Sequence, residues 1–175
     1  LRIPYMILAD QRYDDRMLFE NAYDLLSGVW LGSYDAYALA KGIGYPMFLV
    51  LAKKLCLPYS VLLALLQAVG AWLFVRALSV RWKNPYGQTL LYLLLLFSPI
   101  SLTQLVTQRL YRMAIVPGMV LVVFSGMIGL TLRKELPLKK QLPWAVLTGM
   151  ALAFFWQIRE DSVWILPFIA VMTVW

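Results

Sequence analysis

The sequence contains no histidine and a single cysteine, Cys56, among its 175 residues. One cysteine excludes a disulfide within the chain and any cysteine-based metal cluster, and the lack of histidine removes the commonest metal ligand and general base. A catalytic group would therefore have to be a carboxylate, Lys, Arg, Tyr or Ser. No stretch combines a basic start, a short apolar run and a small-residue cleavage site, so we predict no signal peptide.

Charge is also scarce: charged residues make up only 14% of the chain, whereas 62% is hydrophobic and the mean hydropathy is +0.71. These values predict an integral membrane protein surrounded by the lipid bilayer. The net charge of +7 comes from basic residues at the ends of apolar runs, which indicates membrane topology, and we expect no nucleic-acid partner. Because the chain opens without Met and stops inside an apolar run, we expect a fragment of a longer protein.

Three apolar runs, at residues 59–79, 87–107 and 113–132, reach the length of about 20 residues that a helix needs to cross a bilayer. The loops after the first and third runs are basic, which predicts that both face the cytoplasm. Two shorter runs, at 142–157 and 162–175, complete a transmembrane region over 59–175. The predicted fold class is all-α, a polytopic transmembrane helical bundle.

Residues 1–58 are predicted to hold the end of a first span and an outer catalytic loop with two membrane-surface helices. The first helix covers 16–27, has one apolar face and is capped by Gly28, and the second runs from Pro46 to just before Pro58. Six of the nine acids of the chain lie in this outer region: Asp10, Asp14, Asp15, Glu20, Asp24 and Asp35.

Asp14 and Asp15 stand just before the first surface helix, where either carboxylate could simply cap the helix. Two adjacent acids are more than a cap requires. Successive residues that enter a helix point in different directions, so one acid can cap the helix while the other faces a cleft. One of them could deprotonate an acceptor hydroxyl or amine as a general base, or bind a divalent cation. The residues leave these alternatives open, so the metal dependence is unknown and no cofactor is certain.

Several charged residues are predicted to lie on the same outer side as the two acids. Lys41 stands in a glycine-containing loop suited to phosphate, although it could be a solvated lysine beside a turn. Three further charges interrupt an apolar run near its outer end, which marks either a site or an interfacial turn. The candidate phosphate-binding residues are Lys41, Arg109, Arg112 and Arg159, and the possible further site acids are Glu160 and Asp161.

Four stretches carry a resemblance to a known family: YDD at 13–15, WLGSYD at 30–35, KGIGYPMFL at 41–49, and GMALAF at 149–154 leading to RED at 159–161. They resemble the GT-C superfamily of integral membrane glycosyltransferases, in particular bacterial members similar to protein O-mannosyltransferases and aminoarabinose transferases. The resemblance implies that Asp15 or Asp14 is catalytic, and that Lys41 and Arg159 lie near the donor phosphate. Where the family often carries a further acid, this chain has RLYRM at 109–113, which favours a metal-independent site or a second acid at Glu160 or Asp161.

The predicted function is that of a cell-envelope glycosyltransferase, which moves a sugar from a polyprenyl-phosphate donor to an acceptor glycan, lipid or protein on the outer side of the membrane. The resemblance implies inversion at the anomeric carbon and a location in the bacterial inner membrane. The alternative is a transporter or flippase for a lipid-linked or anionic solute. A transporter would be expected to place ionisable groups near the membrane midplane and to contain broken helices.

Overall fold

The computed structural model describes residues 14–30, 41–102, 110, 112–159 and 162–174. Within these residues all the regular structure is helical, which confirms the all-α prediction for this part of the chain. Short 3-10 turns occupy Pro99–Leu102, Arg112–Ala114 and Ser162–Ile165. The part of the chain that the structure describes contains seven α-helices: α1 (Asp14–Leu26), α2 (Gly44–Lys54), α3 (Tyr59–Leu78), α4 (Pro85–Leu96), α5 (Val116–Thr131), α6 (Leu138–Ile158) and α7 (Leu166–Val174).

Local sequence explains several helix ends. Gly28 has a φ of +80°, and the amide of Val29 donates to the carbonyl of Asp24, so a left-handed glycine ends α1 as the sequence predicts. At the start of α4, the side chain of Asn84 accepts hydrogen bonds from the amides of Tyr86 and Gly87, and Pro85 fills the first helical position. The N-terminus of α1 differs from expectation, because the helix already begins at Asp14.

Helices α3 and α5 lie side by side and run in the same direction. Near the N-terminal end of α5, a Cβ on Gly70, in the middle of α3, would meet the carbonyl of Gly118 at 2.9 Å, so two glycines allow close approach of the helix backbones. Near the other end, the guanidinium of Arg133, just past α5, donates to the carbonyl of Ala77 at 3.1 Å. Contacts at both levels establish the parallel arrangement.

Helix α6 returns antiparallel to α5, and small residues again line the contact. A Cβ on Gly126 would meet Thr148, and one on Gly129 would enter the indole of Trp144. Half of α5 is buried, and it contacts α3, α6 and α7, so it is the central helix of the bundle.

Helix α4 runs back along α3 but ends at Leu96, so it covers only the first part of the predicted run 87–107. The chain continues as a 3-10 turn from Pro99, and residues 103–109 lie outside the described residues. Proline explains the break, since its ring disfavours helical geometry at the preceding residue and cannot donate to the helix. The side-chain amide of Gln67, near the middle of α3, donates to the carbonyl of Leu95 at 2.7 Å.

The bundle therefore has two distinct ends. We call the end at Tyr59, Met113 and Arg159 the tyrosine end. The opposite end, called the basic end, carries Arg76, Arg81, Lys83, Arg133, Lys134, Lys139 and Lys140. Among the described residues, α3 is the one helix that is both long and apolar enough to cross a membrane, and α5 is apolar but shorter.

Candidate functional site

The loop that carries Lys41 packs directly on the C-terminal end of α6. A Cβ added to Gly42 would overlap the backbone carbonyl of Gln157, and one added to Gly44 would lie 2.9 Å from the carbonyl carbon of the same residue. Only glycine allows the loop backbone to approach another backbone this closely. The two glycines therefore bring partly buried Lys41 next to the residues that precede Arg159.

Two tyrosines connect this loop to the start of α3. The hydroxyls of Tyr45 and Tyr59 are hydrogen-bonded at 2.9 Å, and their rings meet edge to face with centroids 6.5 Å apart. Phe48 makes a similar contact with the ring of Tyr59, at 6.1 Å. Because Tyr45 is fully buried beside the Lys41 loop, this cluster fixes the entry of α2 relative to α3.

Arg159 follows the last residue of α6 and has an extended backbone, with φ −138° and ψ 121°. Its Nη1 lies 2.8 Å from the sulfur of Met113, in the 3-10 turn before α5. Its carbonyl accepts a hydrogen bond from the hydroxyl of buried Ser162, at 2.8 Å. The arginine is thus held between the end of α6 and the 3-10 turn that precedes α5.

Aromatic packing fixes the segment that follows this turn. Trp164 meets Phe155 and Phe168 edge to face, with centroids 6.0 and 6.3 Å apart, and Phe168 in turn contacts Phe124 of α5 at 5.4 Å. Each such pair contributes about 0.5–1.5 kcal/mol beyond its buried area. The series anchors the chain on both sides of residues 160–161, which lie outside the described residues.

Helix α1 covers α2, with Leu18, Asn21 and Ala22 buried between the two helices and the core. On the outer face of α1, the guanidinium of Arg16 donates to the carboxylate of Glu20 at 2.7 Å. Asp14 and Asp15 are the first two residues of this helix. Their side chains lie outside the described residues.

The structure brings the Lys41 loop, Arg112 with Met113, and Arg159 to the tyrosine end of the bundle, with α1 packed above on α2. Arg109, Glu160 and Asp161 lie outside the described residues, so their predicted roles stay predictions. Sequence reasoning missed Tyr45 and Met113. The alternation of glycines with Ile43 and Tyr45 was the one available signal, since closely spaced glycines indicate close approach of backbones.

No metal site emerges from the part of the chain that the structure describes, where no three His, Cys, Asp or Glu side chains are grouped suitably. The metal dependence of the candidate site thus stays open.

Comparison of the chain with protein-family models, with curated proteins and with solved structures gave no match. The resemblance to the GT-C superfamily therefore stays a prediction based on the residues themselves.

Proposed function

We propose that this chain is part of a membrane glycosyltransferase that moves a sugar from a polyprenyl-phosphate donor to an acceptor on the outer side of the membrane. The observation that carries the proposal is the packing of the Lys41 loop against the end of α6, which brings Lys41 and Arg159 to the same end of the bundle. A phosphate that leaves with negative charge is stabilised by such cations.

Exposed apolar stripes support a membrane setting for the bundle. On α3 the exposed Val61, Leu65, Val69 and Trp72 follow helical spacing, and α4 buries none of its residues despite its run of leucines. Helix α6 continues the pattern with Leu142, Val146 and Met150. Contiguous apolar surface of this kind is rare on soluble monomers and suits contact with lipid tails.

The two short helices suit the membrane surface. Beside its buried face, α1 exposes Phe19, Tyr23 and Leu26, and Trp30 beyond Gly28 is 71% exposed. Aromatic side chains with a polar tip are enriched at the headgroup level of membranes. A donor whose tail stays in the bilayer could therefore reach the loop between these helices with its sugar.

The proposed reaction is a single displacement. The carboxylate of Asp15 or Asp14 accepts the proton of the acceptor nucleophile, which attacks the anomeric carbon of the donor. The new bond forms as the bond between that carbon and the phosphate oxygen breaks, so the configuration inverts and polyprenyl phosphate leaves. Lys41 and Arg159 stabilise the charge on the leaving phosphate, with Arg109 and Arg112 as further phosphate ligands and Glu160 or Asp161 as a possible second acid.

The test replaces the acids in the full-length enzyme and measures turnover of a polyprenyl-phosphate sugar. Loss of a general base lowers turnover by about 10²- to 10⁴-fold, so we expect this loss for Asp15→Asn or Asp14→Asn. Asp24→Asn, near the other end of the same helix, is the matched control and should retain activity. Normal turnover in both Asp14→Asn and Asp15→Asn would show that the catalytic assignment is wrong.

A second pair of variants tests the phosphate site. Lys41→Gln should raise KM for the donor, because a cation that contacts the phosphate is lost, whereas Lys53→Gln on α2 should leave KM unchanged. Equal KM values for the two variants would remove Lys41 from the site.

One observation favours the alternative, a transporter or flippase for a lipid-linked or anionic solute. Helix α4 ends at Leu96, opposite Gln67 near the middle of α3, and broken helices at mid-membrane are typical of transporters. Vesicles with the full-length protein distinguish the two functions. Movement of a labelled polyprenyl-phosphate sugar across the bilayer without transfer to an acceptor would support the alternative.

A further inference from the structure

Four helix ends meet at the basic end of the bundle. The C-termini of α3 and α5 lie together there because the two helices are parallel, and the N-termini of α4 and α6 follow after short loops. These loops and helix ends carry six cations besides the buried Arg133, and their one acid is Glu135. The six are Arg76, Arg81, Lys83, Lys134, Lys139 and Lys140, all of them exposed.

Aromatic side chains accompany these cations. Trp82 packs on Gly87 at the start of α4, where a Cβ would overlap the indole, and neighbouring Tyr86 is 86% exposed. Trp144 lies under the guanidinium of Arg133, 4.4 Å from the ring centroid. Tryptophan and tyrosine prefer the headgroup region of a bilayer, so they mark the level at which the cations would meet lipid phosphates.

Apolar stripes begin directly beside the cations. Lys139 and Lys140 stand between exposed Leu138 and Leu142, and Leu90 is exposed on α4 after the Lys83 loop. A lysine in this position extends its aliphatic stem along apolar surface and its ammonium toward headgroups. A soluble polyanion would match the charge but leave the adjoining leucines in water, whereas a lipid satisfies both surfaces.

We propose that the basic end is a binding surface for anionic phospholipids, with the phosphate groups held by cations of the two loops and the acyl chains along α4 and α6. This proposal rests on the membrane setting of the proposed function. It goes beyond topology, because it requires a preference for anionic over neutral lipids at one end of the bundle. Each cation near an anionic surface contributes about fivefold in affinity.

The test uses the full-length protein in nanodiscs of neutral phosphatidylcholine and measures binding of labelled phosphatidylglycerol. The variant Lys139→Gln/Lys140→Gln removes two adjacent exposed cations from the basic end. The matched control, Lys53→Gln/Lys54→Gln, removes two adjacent exposed cations from α2, near the tyrosine end. We expect the first variant to lose about 25-fold in preference for phosphatidylglycerol over phosphatidylcholine. The control should stay within twofold of the unmodified protein.

Three outcomes would contradict the proposal in different ways. Equal losses in both variants, or no loss in either, would show that the basic end has no special affinity for anionic lipid. Displacement of the labelled lipid by millimolar inorganic phosphate would indicate a site for a soluble anion. Failure of the unmodified protein to enter neutral nanodiscs would overturn the membrane setting as well, whereas entry without lipid preference overturns this proposal alone.

Discussion

Arg133 makes the interaction from which we expect the largest effect of a single substitution on stability. Its side chain is only 7% exposed and donates to the carbonyls of Ala77 and Gly129 at 3.1 Å and of Arg76 at 3.0 Å. All three carbonyls belong to the last turns of α3 and α5, where helix geometry leaves them without intrahelical partners. One guanidinium thus caps two parallel helices whose dipoles place partial negative charge at the same end.

The expected cost of Arg133→Met follows from these contacts. The carbonyl of Arg76 keeps the hydroxyl of Ser79 as a donor at 2.8 Å, but those of Ala77 and Gly129 each lose a partner, at about 1–3 kcal/mol per group. Burial, and then repulsion from Arg76, lowers the pKa of Arg133, so desolvation offsets part of the gain. We expect a net loss of about 2–4 kcal/mol, since methionine retains the apolar contact with Trp144.

The assay is reversible unfolding in mixed detergent micelles, followed by tryptophan fluorescence. Arg81→Met is the matched control, because it removes an exposed arginine at the same end and should change the free energy of unfolding by less than about 0.5 kcal/mol. Arg133→Lys should fall between the two, since an ammonium keeps the charge but lacks the planar fork that reaches both helices. A cost for Arg133→Met no larger than that for Arg81→Met would refute the capping role.

Two further substitutions test the contacts around the Lys41 loop. Gly42→Ala should lower both stability and sugar transfer, because its Cβ would overlap the backbone carbonyl of Gln157 at the end of α6. In the control, Gly149→Ala, the added Cβ meets nothing within 4 Å and should stabilise α6 by up to about 1 kcal/mol, so equal thermal shifts for the two variants would contradict the packing. Tyr45→Phe removes the hydrogen bond to Tyr59 and should lower the free energy of unfolding by about 1 kcal/mol in the same assay. The control is Tyr23→Phe at an exposed position, and equal free energies of unfolding for the two variants would rule out a stabilising role for the Tyr45–Tyr59 hydrogen bond.

Local patterns predicted the helices where one residue type decides the outcome. Helix α3 coincides with the first predicted run to within one residue, since Pro58 precedes it and an apolar sequence continues to Leu78. Gly28 ends α1 because a left-handed residue is required there. Hydropathy alone was less informative for the second run, where it predicted one helix across Pro99 although proline interrupts the helix.

From the sequence, the candidate site could be predicted only as a set of residues on one side of the expected membrane. Loop charge placed Lys41, Arg112 and Arg159 on one side, but it contains no information on which of these approach one another. Their approach depends on Gly42 against Gln157 and on Met113 beside Arg159, which are contacts between residues far apart in sequence. Steric fit of this kind requires coordinates, because glycine and methionine carry no charge pattern that would reveal it.

The end of α4 bears on both candidate functions, because it places polar groups at mid-height in an apolar bundle. The side-chain amide of Gln67 satisfies the carbonyl of Leu95 at the end of α4, while its own Oε1 is buried without a hydrogen-bond partner among the described residues. An unsatisfied buried acceptor costs about 1–3 kcal/mol, so Gln67 carries an energetic cost at this position. In a transferase, Gln67 would only satisfy a carbonyl in the last turn of α4, which ends before Pro99. In a transporter, the break in α4 would line the path of the solute. Gln67→Leu would then abolish transport while preserving the fold, whereas a transferase with the same substitution would retain sugar transfer.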